Sequence, residues 1–190
     1  MTNIVFFGPP GAGKGTQAKI VSEYLSLPHL STGDILRSKI KQNDSLALEV
    51  REIIASGKLV SDKILNSIVS EKLLNESKNG FILDGYPRTL DQSSFLNNFL
   101  KESSSELNYI FNVEIEFDIL KKRIVKRSQE ENREDDDVRV IQTRYDEYMN
   151  TTKKVSEYYK QNYSQIFHDI DGNDQIDKIT SKIKKIIKNT

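Results

Sequence analysis

The stretch Gly8-Pro9-Pro10-Gly11-Ala12-Gly13-Lys14-Gly15-Thr16 directly follows the apolar run Ile4-Val5-Phe6-Phe7 and directly precedes a helical pattern. That order constrains the chain more than any other feature. A strand that is apolar at successive positions must be covered on both faces, as parallel sheets require. A glycine-rich turn from such a strand into a helix lets the backbone wrap an anion, with N–H groups and the helix N-terminus facing inward. Lys14 adds a charge that reaches terminal phosphates. An ordinary strand-to-helix turn accounts for one or two glycines, but not for Gly8, Gly11, Gly13 and Gly15 with a lysine among them. In the usual pattern a hydroxyl residue follows the lysine; here Gly15 intervenes and Thr16 comes next.

Further along, short apolar runs alternate with helical periodicity. Strands are expected at 3–7, 29–30, 81–83, 109–113 and 166–170. Helices are expected from Gly15 to Leu25, after a cap at Thr32 or Asp34, over 46–55 and 61–75, around Phe95 and Phe99, from Ile115 onward, and from Val138 to Tyr159. The polar run 128–137 interrupts that pattern. In the tail, Ile176, Ile179, Ile183 and Ile186 recur at helical steps beside lysines, a stripe read as packing on the sheet in preference to a membrane surface. Such alternation implies an α/β fold with an open parallel sheet, whose ligands sit at the carboxyl ends of the strands. With 190 residues and no linker-like stretch, one domain is expected.

Composition narrows the function. The 28 basic residues match 28 acidic ones, which excludes the broad basic field of a non-specific nucleic-acid or membrane binder. There is no cysteine, hence no disulfide, thiol nucleophile or cysteine-based zinc site. His29 and His168 have no metal-centre spacing and read as strand-end residues. The apolar start stops at Gly8, too soon for a signal peptide or membrane span, and points to a cytoplasmic protein.

Two more features bear on chemistry. Phe81-Ile82-Leu83-Asp84 is an apolar strand ending in a carboxylate, where phosphate-loop proteins place an acid near magnesium. Asp84 is therefore read as acting through water on a hydrated Mg2+ ion. Arg37, Arg88, Arg123, Arg127, Arg133 and Arg144 supply forked donors suited to phosphate. Singly each reads as a surface residue. Together with a phosphate loop and no evident base, they fit phosphoryl transfer, which works by positioning and charge neutralisation.

These residues resemble the adenylate kinase family over nearly the whole chain. Its motifs are matched in order by GPPGAGKGTQ at 8–17, LSTGDILR at 30–37, GKLVSD at 57–62 and GFILDGYPRTLDQ at 80–92, then by Arg123, Arg127, Arg133, Arg144 and Ile170-Asp171-Gly172. The resemblance implies a P-loop NTPase-type three-layer fold with a five-stranded parallel sheet, a mobile AMP-binding insertion at 31–60 and a short lid at about 127–137. It implies magnesium-dependent transfer of the ATP γ-phosphoryl group to AMP, giving two ADP.

Carried over by position, the resemblance puts the ATP phosphates on Gly11, Ala12, Gly13, Lys14, Gly15 and Thr16. Arg123 would stack on the ATP base, Arg127 would contact its phosphates, and Asp174 would meet the base through its backbone. AMP would be surrounded by Thr32, Arg37, Lys58, Leu59, Val60, Gly85, Tyr86, Pro87, Arg88 and Gln92. Lys14, Arg88, Arg127, Arg133 and Arg144 would act at the transferred group. Only five residues separate Arg127 from Arg133, too few for a long lid and the zinc some relatives carry there. Ser61 and Tyr86 stand where the family commonly has Thr and Phe, and Glu134 to Asp137 carry more acid than usual.

A UMP/CMP kinase is the nearest alternative. Thr32 with Gln92 favours adenine, because pyrimidine-specific relatives tend to have Ala in place of Thr32 and Asn in place of Thr89. A non-catalytic nucleotide sensor is the alternative from another class, and the full set of arginines speaks against it. The expected partners are ATP, AMP and ADP, with no nucleic acid or membrane, for a monomer.

Overall fold

The structure is a computed structural model and describes residues 1–41, 45–131 and 138–189. Five strands form one sheet: β1 (Thr2–Phe7), β2 (His29–Ser31), β3 (Gly80–Asp84), β4 (Tyr109–Glu114) and β5 (Phe167–Asp171). Their order across the sheet is β2-β3-β1-β4-β5, and every pairing is parallel. The three-layer arrangement follows from the apolar runs. Within β1, Val5 and Phe7 face one core while Ile4 and Phe6 face the other. Each strand residue is thus apolar because both faces of the sheet are covered.

Beneath one face lie α1 (Lys14–Leu25) and α9 (Ile176–Lys188), which bring Ala18, Val21, Ile179 and Ile183 to the sheet. Thr180 Oγ1 donates to Gln17 Oε1 at 2.8 Å, and Gln17 Nε2 donates to the Ile176 carbonyl at 3.1 Å, tying these helices together. Ile179, Ile183 and in part Ile186 of the tail stripe are therefore packing surface, while Ile176 is exposed. The opposite face is covered by α4 (Asp62–Glu76), α5 (Leu90–Glu102) and α8 (Lys153–Asn162), through Leu65, Val69, Leu96, Leu100, Val155 and Tyr159. Among the described residues, no helix is long and apolar enough to cross a membrane.

Between β2 and α4, the chain forms α2 (Thr32–Ile40) and α3 (Ser45–Ala55). The cap of α2 is Ser31, whose hydroxyl accepts from Asp34 N at 3.3 Å; the sequence had suggested Thr32 or Asp34. Ser31 wins because β2 pairs with β3 as far as Ser31 opposite Asp84, leaving that residue extended and Thr32 already helical. Between β4 and β5, α6 (Phe117–Glu131) continues through the start of the polar run expected to break it. Its partner α7 (Val138–Glu147) is followed by a π-helical turn (Tyr148–Thr152) before α8, so the single helix expected over 138–159 is interrupted. Leu120, Ile124 and Ile141 form a third small core joining α6 to α7.

Candidate active site

The carboxyl ends of β1 and β3 lie side by side, with Phe6 opposite Asp84 in the register, so whatever follows each strand shares one cleft. After β1, the loop turns on Gly8, Gly11 and Gly13, all with positive φ. At Gly11 a side chain has no room, because a Cβ there would lie 2.7 Å from Ile124 Cγ1 on α6. Lys14 opens α1 and donates from Nζ to the Pro9 carbonyl across the loop at 3.0 Å. Burial pushes its ammonium from an ordinary 10.5 down to about 8; Asp84 opposes this, while Arg88, Arg127 and Arg144 add to it. A cation held where desolvation and three arginines disfavour it gains from an arriving polyanion.

Gly15 now has a physical reason. A Cβ at this position would stand 3.0 Å from Asp84 Oδ2, so the glycine admits the carboxylate beside the loop. Burial works against ionisation of Asp84, yet the neighbouring His29 imidazole and Lys14 ammonium outweigh it and hold the carboxyl below its usual range. His29 Nε2 lies 3.8 Å from Asp84 Oδ2, beyond hydrogen-bond length, and is buried without a hydrogen-bond partner. Thr16 is exposed and lines the same cleft. No cluster of three or more His, Cys, Asp or Glu able to hold a metal occurs among the described residues. A single ionised carboxylate suits a hydrated Mg2+ carried in with a triphosphate and held through water, rather than an all-protein cage.

On the α6 side of the loop, Arg123 spans two carbonyls, donating from Nη1 to Ala12 at 3.3 Å and from Nη2 to Asp174 at 3.4 Å. Its guanidinium, the Asp174 backbone and Gly11 to Gly13 line an open depression with Lys126 and Arg127. Lys182 Nζ is 2.9 Å from an Asp174 carboxylate oxygen, so α9 helps to fix that loop.

On the β3 side the contacts are different in kind. Thr32 Oγ1 donates to the Gly85 carbonyl at 2.8 Å, and Arg88 Nε donates to the same oxygen at 2.7 Å. Gly85 has φ +78°, and a Cβ would meet Thr32 Oγ1 at 2.7 Å and Arg88 Nη2 at 2.8 Å. Arg88 N donates to Gln92 Oε1 at 2.7 Å, Gln92 Nε2 to Asp62 Oδ1 at 2.7 Å, and Thr89 Oγ1 to Asp62 Oδ2 at 2.8 Å. Thr89 caps α5 by accepting from Gln92 N at 3.1 Å. Tyr86 is buried, and its hydroxyl donates to Asn66 Oδ1 at 2.6 Å. Gln92 is fully buried and, like Tyr86, sits behind the cleft wall instead of on it.

Arg88 and Arg144 stand where these regions meet. Both line the depression containing Lys14, Asp84 and Arg127, and both line the one formed by Thr32, Arg37, Lys58, Leu59 and Val60. Arg37 Nη2 lies 2.6 Å from Asp34 Oδ1 at its mouth. The insertion comes down on α7 here, for a Cβ on Gly57 would lie 3.0 Å from Arg144 Cγ. Arg133, the run Glu134 to Asp137, and most of the expected lid lie outside the described residues.

Several residues at the site were not singled out from sequence. Asp62 reads as an ordinary first-turn acid of α4. His29 reads as a strand-end residue. Tyr148 and Thr152, from the π-helical turn, line the cleft floor beside Lys14 and Arg144. Thr89 and Gln92, already named from the sequence, also carry a local signal, the spacing of a capping box.

Comparison with known proteins bears on the family. The sequence profile of the family described as "Adenylate kinase" matches residues 6–164. A protein named adenylate kinase from Leptospira biflexa is 38% identical over 188 residues, 98% of this chain and 100% of that protein. One from Prochlorococcus marinus is 40% identical over 183 residues, 96% of this chain and 97% of its own length. Another, from Thermosipho melanesiensis, is 38% identical over 214 aligned positions, covering 98% of this chain and 99% of that protein.

Proposed function

The chain belongs to the adenylate kinase family, and from that premise we propose how its cleft divides the work. The reaction is reversible, magnesium-dependent transfer of the ATP γ-phosphoryl group to AMP, giving two ADP. In our reading Gly11 to Thr16 hold the donor phosphates, Arg123 and the Asp174 backbone flank the donor base, and Arg127 meets the donor phosphates. AMP occupies the pocket of Thr32, Arg37, Lys58 to Val60 and Gly85 to Arg88, with Gln92 on its base and Arg37 and Arg88 on its phosphate. Arg88 and Arg144 bridge the two substrates, joined by Arg133.

The observation that carries this reading is that Arg88 and Arg144 line both depressions at once, with Lys14 beside them in the donor one. An oxygen of the AMP phosphate attacks the γ phosphorus as the bond to the β–γ bridging oxygen breaks. The acceptor oxygen is already anionic, so no general base is needed. Lys14 and the arginines align the groups and offset charge as it spreads over the equatorial oxygens. Asp84 would hold Mg2+ through water when the ion arrives with the triphosphate, and the ion would supply neutralisation of phosphate charge.

The 31–60 insertion and the 127–137 lid are read as the parts that move to exclude water, a motion for which adenylate kinase is itself a standard example. The accompanying reading is a cytoplasmic monomer. The test is ADP formation from Mg-ATP with AMP, UMP, CMP or GMP supplied separately. Strong preference for AMP is expected. Preference for UMP or CMP would overturn the base-pocket reading, and transfer to none of them would favour a sensor.

A further inference from the structure

We propose that Asp62 is a positioning residue that locks the Gln92 amide in one orientation and so sets which bases the acceptor pocket takes. The proposal rests on the reading that Gln92 meets the acceptor base. Its own basis is a chain of three short hydrogen bonds: Arg88 N to Gln92 Oε1, Gln92 Nε2 to Asp62 Oδ1, and Thr89 Oγ1 to Asp62 Oδ2, at 2.7, 2.7 and 2.8 Å. A backbone N–H can only donate and a carboxylate can only accept. The amide therefore has to turn its oxygen toward Arg88 and its nitrogen toward Asp62. Turned over, it would set NH2 against N–H and carbonyl oxygen against carboxylate, inside a site where Gln92 is fully buried and water offers no substitute.

The locked amide keeps one free N–H and one free lone pair, in fixed order. That order complements a base edge presenting an amino donor beside a ring-nitrogen acceptor. Adenine has such an edge, from its 6-amino group and N1. Hypoxanthine, on the same purine frame, presents the reverse: a carbonyl oxygen beside an N–H. To read hypoxanthine the amide must flip, and Asp62 and Arg88 N both oppose the flip. Cytosine carries the adenine order on a smaller ring, so the lock does not discriminate against it.

An acid in the first turn of α4 is favourable to the helix whatever its neighbours. That preference does not call for short bonds to two side chains at the start of α5, across 27 and 30 positions of sequence. Those bonds also link the end of the 31–60 insertion to the loop carrying Arg88. Gln92 is covered in this conformation, so a base reaches it as neighbouring side chains move aside; the lock fixes what the base finds there.

The experiment compares kcat/KM for AMP, IMP and CMP, with Mg-ATP as donor, in the full chain and in Asp62→Asn. An asparagine can donate or accept toward Gln92, so it removes one of the two constraints on the amide and leaves Arg88 N as the other. The IMP:AMP ratio is expected to rise about tenfold or more, mainly through KM, while CMP:AMP changes by less than about twofold. Equal falls for all three acceptors would mean a purely structural role and overturn the proposal. Gln92→Leu separates the two levels of the argument. If it leaves the preference for AMP intact, the base-reading role of Gln92 fails and the lock with it. If it abolishes that preference while Asp62→Asn keeps the wild-type IMP:AMP ratio, the lock alone fails. Should Asp62→Asn not fold, the side-chain amide resonances of Gln92 in the wild-type protein decide. One Nε2 proton protected from solvent exchange more than its partner supports the lock, and two protons exchanging alike overturn it.

Discussion

Around the 8–16 loop Lys14 and Arg123 bond to backbone carbonyls, whereas around Gly85 several side chains bond to one another. Lys14 reaches Pro9 at 3.0 Å and Arg123 reaches two carbonyls at 3.3 and 3.4 Å. On the other side of the cleft, Thr32, Arg88, Gln92, Thr89 and Asp62 are joined by bonds of 2.7 and 2.8 Å. The donor side is shaped by backbone, with glycines setting the curve and one cation left poised for an anion. The acceptor side is shaped by side chains whose hydrogen-bonding capacity is largely committed before substrate arrives. A backbone cradle recognises phosphate charge and has few means of telling bases apart, while a committed polar network can reject a base that mismatches it.

If this contrast is right, the largest single loss belongs to the donor side. Lys14→Met is expected to lower kcat by about a thousandfold, since removing one charge-stabilising donor at a transition state has effects of that order. Its melting temperature should not fall, because a desolvated ammonium is removed. A steady-state rate and a thermal melt on the same preparation check both parts, and a rate within tenfold of wild type, on the order of 1.4 kcal/mol, would break the contrast.

Next in size is Gly85→Ala on the acceptor side. Its φ of +78° and contacts of 2.7 and 2.8 Å predict strain and a displaced Arg88. Strain of this kind costs about 1–3 kcal/mol, so a denaturation midpoint should shift down, and kcat/KM for AMP should fall while ATP affinity stays near wild type. A parallel loss of ATP affinity would show that the two sides are not separable.

The smallest effect sharpens the donor side alone. With Lys14 at about 8 in the free protein, its ammonium is present below that pH and is lost as pH rises through it. A bound triphosphate favours the charged form, so ATP affinity should hold below pH 8 and decline above it, by at most about tenfold per pH unit for one proton. Titration calorimetry across pH 7 to 9.5 reads this, and Lys14→Met should flatten the profile. A wild-type affinity that rises with pH would refute it.

How legible each side was in the sequence follows from the same contrast. Gly8 to Thr16 lie within one short span, and their spacing, flanked by an apolar strand and a helix, already implies inward N–H groups. Asp84 was legible for a similar reason, as the polar end of an apolar strand. The helix cap was not, because Ser31, Thr32 and Asp34 are all capable of it and the choice fell to where β2 stops pairing with β3. The π-helical turn at Tyr148–Thr152 was not read from the sequence either.

By itself the sequence determined the parallel α/β class, the five strands, the phosphate loop and the arginines, because each of these is written in local order: apolar runs, glycine spacing, residue type. Only the tertiary structure decided that Gly15 makes room for Asp84, that Arg144 meets the insertion at Gly57, and that Asp62 holds Gln92. Those are contacts between segments far apart in the chain, and their existence depends on the sheet order β2-β3-β1-β4-β5 bringing strand ends together, which no local pattern encodes.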